Sequence, residues 1–328
     1  MKRLLHSLFA MSLACLCADV LAQAPYPTRP VTLMVPYAAG AASDFTARAL
    51  NDLIGKELGG PVIVENLGGA GGAIAAGKVL GAPADGYNVF QGSPSELILA
   101  GLVNKAVRFK PADFQWVAPV ATSPLVVVVN PQVPANTLDE LVALARTRKD
   151  RPLSYGTPGP GTLYHLLGER FVKRTGAPLT HVPYKGGAPL TQDLVGGQID
   201  FAFMPYQAFY AEYAQQGRLR VIGSLSPGKA LPAPFAHVQS SADSKELKDF
   251  DFSIWTAYLV KKGTPRPIVE RLNAAIAAAL KDPRARGQLE QQAKSVFDPM
   301  PVEKGEAFYA AEVERYQALV KDVGYQAP

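Results

Sequence analysis

Four times along this chain a short apolar run gives way to a cluster of small residues and then to helical spacing, and that recurrence limits the possible fold more than any other feature. The first instance is the clearest. Residues 31–35 (VTLMV) are apolar and mostly branched, which suits a strand buried on both faces and bounded by Pro36. Beyond them Phe45, Ala49, Leu50, Leu53 and Ile54 recur at helical spacing, with Arg48, Asp52 and Lys56 on the other side. Ser43 or Asp44 is expected to cap the helix start. Between strand and helix, Ala38, Ala39, Gly40, Ala41 and Ala42 offer almost no bulk, so a ligand can approach the unpaired first amides. Those amides and the helix dipole favour an anion. The plainer reading is that a tight turn needs small residues in any case.

The pattern returns at 92–96 (GSPSE), opening a helix over 97–103. It returns at 155–162 (YGTPGPGT), between a strand at 152–155 and a helix at 163–173, and at 184–188 (YKGGA), after a strand at 179–183. A further pair, strand 61–65 and helix 74–80, repeats the opening unit. Strands at 87–90, 116–120, 125–129, 199–203 and 218–224 continue the alternation, which argues for parallel sheets flanked by helices. Thr137 caps a helix over 138–147, and 206–216 reads as another. A long strand at 252–261 returns to the first domain, and three helices beginning near Pro265, Pro283 and Val302 close the chain. The length and 48% hydrophobic content predict two α/β domains: 23–123 with 248–328, and 124–247, hinged near Ser123 and Lys248. Ligands in such sheets lie beyond the carboxyl ends of strands, where all four small-residue turns fall, so the turns can converge on one cleft.

Residues 1–22 carry Lys2 and Arg3, an apolar segment and a small-residue end, the pattern of a secretory signal cut near Ala22/Gln23. The segment is short for a membrane anchor, and Ser12 stands where a lipid-attachment motif on Cys15 wants a branched aliphatic. Both cysteines fall in this signal, so the exported chain would lack disulfides and every form of cysteine chemistry. Without Lys2, Arg3 and Asp19 it keeps 31 basic and 27 acidic groups, a mild excess with no basic stripe for nucleic acid.

Residues for catalysis are sparse. No G-x-S-x-G elbow occurs, and no G-x-G-x-x-G follows a strand. Gly72, Gly77 and Lys78 imitate a phosphate loop, but Val79 stands where Ser or Thr should hold magnesium. His165 and His181 are not spaced as a helical metal pair; His181 reads as structural, and His165, near a helix start, is a candidate ligand contact. Asp44 and Glu96 are the two carboxylates at these helix starts. They can be an acid pair, a cap and a dipole partner, or contacts to a donor on the ligand. Trp116 and Trp255 read as core, with Trp255 the alternative wall of a cleft.

These stretches, with YPTRP at 26–30, PYAAGAASD at 36–44, VENLGGAGG at 64–72, YGTPGPGTLYH at 155–165 and HVPYKGGAPLTQDLVGGQID at 181–200, give a chain that resembles the Bug-type extracytoplasmic receptors of tripartite tricarboxylate transporters. The resemblance covers essentially the whole exported chain. It implies a periplasmic binding protein of type II-like architecture with a ligand cleft between two α/β domains. Such a receptor, here expected to be a monomer, needs no cofactor or metal, and it hands a small carboxylate to the membrane components of its transporter. The first turn of the family holds a carboxylate through main-chain amides and ordered water, and Tyr37, Ala38, Ala39, Gly40, Ser43 and Asp44 match it. Ser93, Ser95 and Glu96 match the second, Gly161 and Thr162 the third with His165 beside them, and Tyr184, Lys185 and Gly186 the fourth. Ala38 and Ala41 depart from the family's usual proline and second glycine, Leu67-Gly68 from Arg-Pro, and SPSEL from small polar residues. These departures leave room for a mono- or dicarboxylate, including an aromatic one. An exported enzyme of the same fold, or a periplasmic sensor partner, is the competing expectation.

Overall fold

The computed structural model describes residues 26–325 apart from 227 and 229; the expected signal peptide and both cysteines lie outside the described residues. Its strands are β1 (Val31–Val35), β2 (Val62–Asn66), β3 (Asn88–Gly92), β4 (Phe114–Val129), β5 (Leu153–Thr157), β6 (Leu179–Pro183), β7 (Phe201–Pro205), β8 (Arg220–Ser224), β9 (Gln239–Ser240), β10 (Ser253–Lys261) and β11 (Ser295–Val296). The helices are α1 (Ala42–Leu58), α2 (Ala73–Gly81), α3 (Ala100–Val103, entered through a π turn at Ser95–Leu99), α4 (Leu138–Thr147), α5 (Leu163–Thr175), α6 (Gly187–Val195), α7 (Phe209–Gln215), α8 (Arg266–Ala279), α9 (Pro283–Gln291) and α10 (Val302–Val323). The first lobe orders its strands β2-β1-β3-β10-β4, and the second uses β4-β7-β5-β6, with β8 also on β4. Pairs β1/β2, β1/β3, β5/β6 and β5/β7 are parallel, as the alternation predicts; β10 runs antiparallel to β3 and β4.

The two strands expected at 116–120 and 125–129 are one. β4 runs for 16 residues through Pro119 and Pro124, and of its two register shifts against β10 one falls beside Pro119, where the ladder lacks an N–H donor. Its first half pairs with β10 and its second half with β7 and β8, so a single strand belongs to both lobes. At the return crossing the buried Ser226 hydroxyl donates to Phe252 O (2.6 Å) and accepts from Leu125 N–H (3.1 Å), tying the two crossing segments together.

Period-two alternation sorts the strand residues into separate cores. Val31, Leu33 and Val35 pack with Ala47, Leu50 and Ile54 of α1, whereas Met34 faces the opposite side. Phe45, expected on the buried face of α1, is instead 38% exposed, because that face follows Ala47, Leu50, Ile54 and Leu58 around the helix. Likewise Val126 and Val128 point to one core, and Leu125, Val127 and Val129 to another that continues across both lobes to Trp116, Trp255 and Tyr316. Trp255 therefore belongs to the interior. Its indole donates to Glu312 Oε2 (2.7 Å) and packs on Trp116 and Phe308, so it forms no wall of the cleft.

Candidate functional site

In both lobes the first strand of the parallel set lies between its two partners, so the connections leaving β1 and β3, and those leaving β5 and β7, diverge at a switch point. Between these ends lies a cleft of about 500 Å³. Tyr37, Gly40, Ser43 and Ser93 line it from the first lobe, and Pro158, Gly187 and Ala188 from the second.

The first turn comes closest to expectation, with one change of detail. The N-cap of α1 is Ala41, at φ −78° and ψ 165°, and no side chain caps the helix. Asp44, expected as a cap, is instead the third residue of the helix, within its first turn. Its carboxylate accepts from Gly40 N–H (2.9 Å) and from Arg48 Nε (3.0 Å). Burial opposes its ionisation, but the Gly40 amide, Arg48 and Asn66 outweigh it and hold the Asp44 pKa below the usual carboxylate value. The amides of Ala42, Ser43 and Asp44 are thus left as the unpaired donors of an uncapped first turn. Beside them the Ser43 hydroxyl is buried without a partner among the described residues. From the second lobe α6 enters in the same way, with Gly186 as an N-cap that offers no side chain and Gly187 and Ala188 on the cleft wall.

The second and third turns are organised differently, because their polar groups satisfy one another. Glu96 is wholly buried and accepts from the Tyr37 hydroxyl and from Ser93 N–H (2.7 Å); burial nevertheless pushes its carboxyl above the ordinary range. Of this turn only Ser93 reaches the cleft, while Ser95 and Glu96 do not. In the third turn Gly159 N–H donates to Thr157 Oγ1 (3.3 Å) and Gly161 N–H to His165 Nδ1 (3.0 Å). Thr162 N–H donates to Gly159 O (3.5 Å). Leu163 N–H, the first amide of α5, donates across the lobes to Ser95 Oγ (3.1 Å). Gly161, Thr162 and His165 accordingly stand behind the cleft wall. His165 stacks on His181 at 3.8 Å, and burial, with that neighbour, pushes its pKa down to about 3.

At the fourth turn the Tyr184 hydroxyl donates to Asp193 Oδ2 (2.8 Å), with burial and that carboxylate pushing it up to about 12. Lys185 is exposed. Ala38 and Lys185 meet at Gly68, where an added Cβ would come within 3.3 Å of Lys185 O and 3.6 Å of Ala38 N, so this is a seam between lobes rather than the cleft itself. Ala38, Ala39, Tyr184, Lys185 and Gly186 are all off the lining.

The remaining wall comes from residues the turn pattern does not mark. Ile254 and Thr256 of β10 and Ser123 of β4 form the floor, with Met204, Pro205 and Gln207 at the end of β7 and Phe209 and Tyr213 on α7. The carboxyl-end rule, applied to β7 as well as to the small-residue turns, points to Pro205 and Gln207. Among the described residues two cations line the cleft. Arg218 lies over the Tyr213 ring (4.2 Å), and Lys294, only 6% exposed, donates from Nζ to Ser123 Oγ (2.8 Å). No carboxylate lines it among the described residues.

Since both oxygens of Glu96 are taken by Tyr37 and Ser93 and the carboxyl itself is off the lining, Glu96→Gln is expected to change affinity for any bound acid by no more than roughly threefold, about 0.6 kcal/mol, by titration calorimetry. A loss of tenfold or more would put the carboxyl in contact with ligand.

Comparison with known proteins matches residues 46–325 to the family described as tripartite tricarboxylate transporter family receptor. The chain is 32% identical to protein BugT of Bordetella pertussis over 303 residues, covering 91% of this chain and 90% of BugT. Among solved structures it resembles the periplasmic binding protein BugD (29% identity, TM-score 0.84, covering 92% of this chain and all of BugD). It also resembles Rpa4515 of R. palustris, solved with adipate (28% identity, TM-score 0.84, 92% and 100% covered). An interlobe cleft at two switch points, with uncapped helix starts on either side and this match over most of the sequence, makes the chain a member of the tripartite tricarboxylate transporter receptor family.

Proposed function

We propose that this protein is a periplasmic receptor that captures a small organic carboxylate in the interlobe cleft and delivers it unaltered to the membrane components of a tripartite tricarboxylate transporter. The observation that carries the reading is the cleft's charge: uncapped starts of α1 and α6, two cations and no lining carboxylate among the described residues. Such a wall attracts an anion and repels a cation. The adipate seen in Rpa4515 supports a carboxylate, and Met204, Phe209 and Ile254 suit its apolar body. The lobes divide at 23–123 with 248–328 and at 124–247, and they move about Ser123 and Lys248 while the chain works as a monomer. Binding rather than turnover fits the placement of Asp44 and Glu96, which use their oxygens on Gly40, Arg48, Tyr37 and Ser93. Among the described residues no helix is long and apolar enough to cross a membrane.

A thermal-shift panel of aliphatic, amino and aromatic carboxylates tests this. A cognate acid at a hundred times its dissociation constant adds about 2.7 kcal/mol to the native state, a rise of roughly 5 °C or more. The recovered acid should be chemically unchanged after long incubation. Conversion of more acid than there is protein would make the chain an enzyme, and a panel without a single shift would remove the carboxylate.

A further inference from the structure

The end of α9 breaks a local rule. Ala293 has φ +55°, Lys294 N–H donates to Leu289 O (3.2 Å) and Ala293 N–H to Glu290 O (2.8 Å), the two bonds of a Schellman ending. Glycine is the usual residue at the left-handed position, and alanine there costs about 1 kcal/mol. The next position is ordinarily apolar, packed back on the helix. Here it is Lys294, buried to 6% exposure, with its ammonium on Ser123 and its side chain in the cleft wall. A strained ending that aims a buried cation into a binding cleft is the kind of departure expected where function overrides local preference.

The floor of the cleft gives this cation an address. Gly92, just before Ser93, pairs with Ala257 of β10, and Ile254 of β10 pairs with Ser123 of β4. Ser93 and Ser123 are therefore two strand spacings apart across the sheet and about two residues apart along it, roughly 12 Å. The α1 amides stand at the Ser93 end, and Lys294 at the Ser123 end. Ile254, Met204 and Phe209 supply apolar contact between them.

Resting on the carboxylate-receptor reading, we infer that Lys294 is the specificity-determining residue of the cleft: it pairs directly with a second carboxylate, so the receptor selects organic diacids with a hydrocarbon middle over monoacids of the same length. A monoacid leaves an apolar end against a buried ammonium, which is the unfavourable contact that discriminates. Arg218 cannot replace it, being exposed at the rim and held over Tyr213.

Calorimetry with the linear diacids of four to eight carbons, adipate included, and their monomethyl esters tests this directly. The wild-type chain should prefer the best diacid to its own ester by roughly 10- to 100-fold. Lys294→Met should bring the diacid down to the ester's affinity while leaving the ester within a few-fold, and Lys294→Arg should restore the preference. Equal affinity of the wild type for diacid and ester, or an equal loss of both in Lys294→Met, overturns the inference while leaving the receptor reading intact. Failure of every acid in the series and the wider panel to bind the wild type overturns both. Melting of each variant without ligand identifies a Lys294→Met chain that has lost its fold, in which case the Lys294→Arg length preference decides: a shift toward a different diacid supports the contact, and an unaltered ranking rejects it.

Discussion

Replacing Ala42 with proline should lower affinity for the bound acid by roughly 10- to 100-fold and leave the ligand-free protein folded. Main-chain donors cannot be tested by trimming side chains, but the first turn of a helix accepts proline, since its amide is an orphan in any case. Ala42 is the first residue of α1 and lines the cleft. Ala41 before it is already extended, at φ −78° and ψ 165°, the conformation proline demands of its predecessor. The first helical bond, from Phe45 N–H to Ala41 O (3.1 Å), is untouched. The substitution thus deletes one donor and puts a methylene in its place. A hydrogen bond to a charged acceptor is worth about 1.5–3 kcal/mol, which sets the expected loss. Melting without ligand should stay within about 2 °C of wild type, since surface changes of this kind fall within about 0.5 kcal/mol. Ala42→Gly, which keeps the amide, should bind within a few-fold of wild type. Full affinity in a folded Ala42→Pro protein would take the α1 amides out of the site.

That experiment also marks where the sequence is informative. Small residues at 38–42 and the branched apolar run of β1 reveal a strand, an open turn and a helix because all three are local properties. The glycines of 155–162 look the same in sequence, yet the amides of Gly159 and Gly161 reach Thr157 and His165, and that of Leu163, which follows them, reaches Ser95. Ser95 is 68 residues from Leu163, and no local pattern announces an acceptor that arrives from the other lobe. Glu96 deceives for the same reason, since its partner Tyr37 lies 59 residues away. Lys294 is hidden in another way: a lysine just past a helix end reads as a dipole partner in solvent. Only the pairing of β11 with β4, a two-residue strand too short to leave a pattern, brings it to Ser123. The α/β alternation and the open small-residue turn were therefore readable, but the missing side-chain cap at Ala41 was not, and which turns keep their donors free depends on contacts between lobes.

The same interlobe seam should make the ligand-free protein acid-labile, losing about 3 kcal/mol of stability between pH 7.5 and pH 5.0. Burial and the charge of its neighbour hold His165 down to about 3, and burial holds His181 down to about 4. In the unfolded chain both titrate near 6.5. On acidification the unfolded state takes up protons first. Stability is thus fully present above pH 6.5 and falls as pH drops toward 4, by about 2 kcal/mol for His165 at pH 5 and less for the half-buried His181. Geometry gives the shift a cause. His165 Nδ1 accepts Gly161 N–H, so a proton on that nitrogen sets two donors against each other. Glu169 Oε1, 3.5 Å from Nε2, favours the charged ring but is itself part-exposed and does not prevail. Asp44 and Asp139, both held below the ordinary carboxylate value, stay ionised in the native state through this window. Urea unfolding at pH 7.5, 6.0 and 5.0 reads the slope. His165→Asn, whose Oδ1 can take the Gly161 bond, and His181→Gln, whose amide can reach Thr157, should each flatten it without a large change at pH 7.5. Because Gly161 is two residues from the Leu163–Ser95 contact, affinity for the acid should weaken over the same interval in the wild type and less so in His165→Asn. A flat stability profile from pH 7.5 to 5.0 would show that these imidazoles are not held neutral, and the stacked pair would lose its place as the support of the seam.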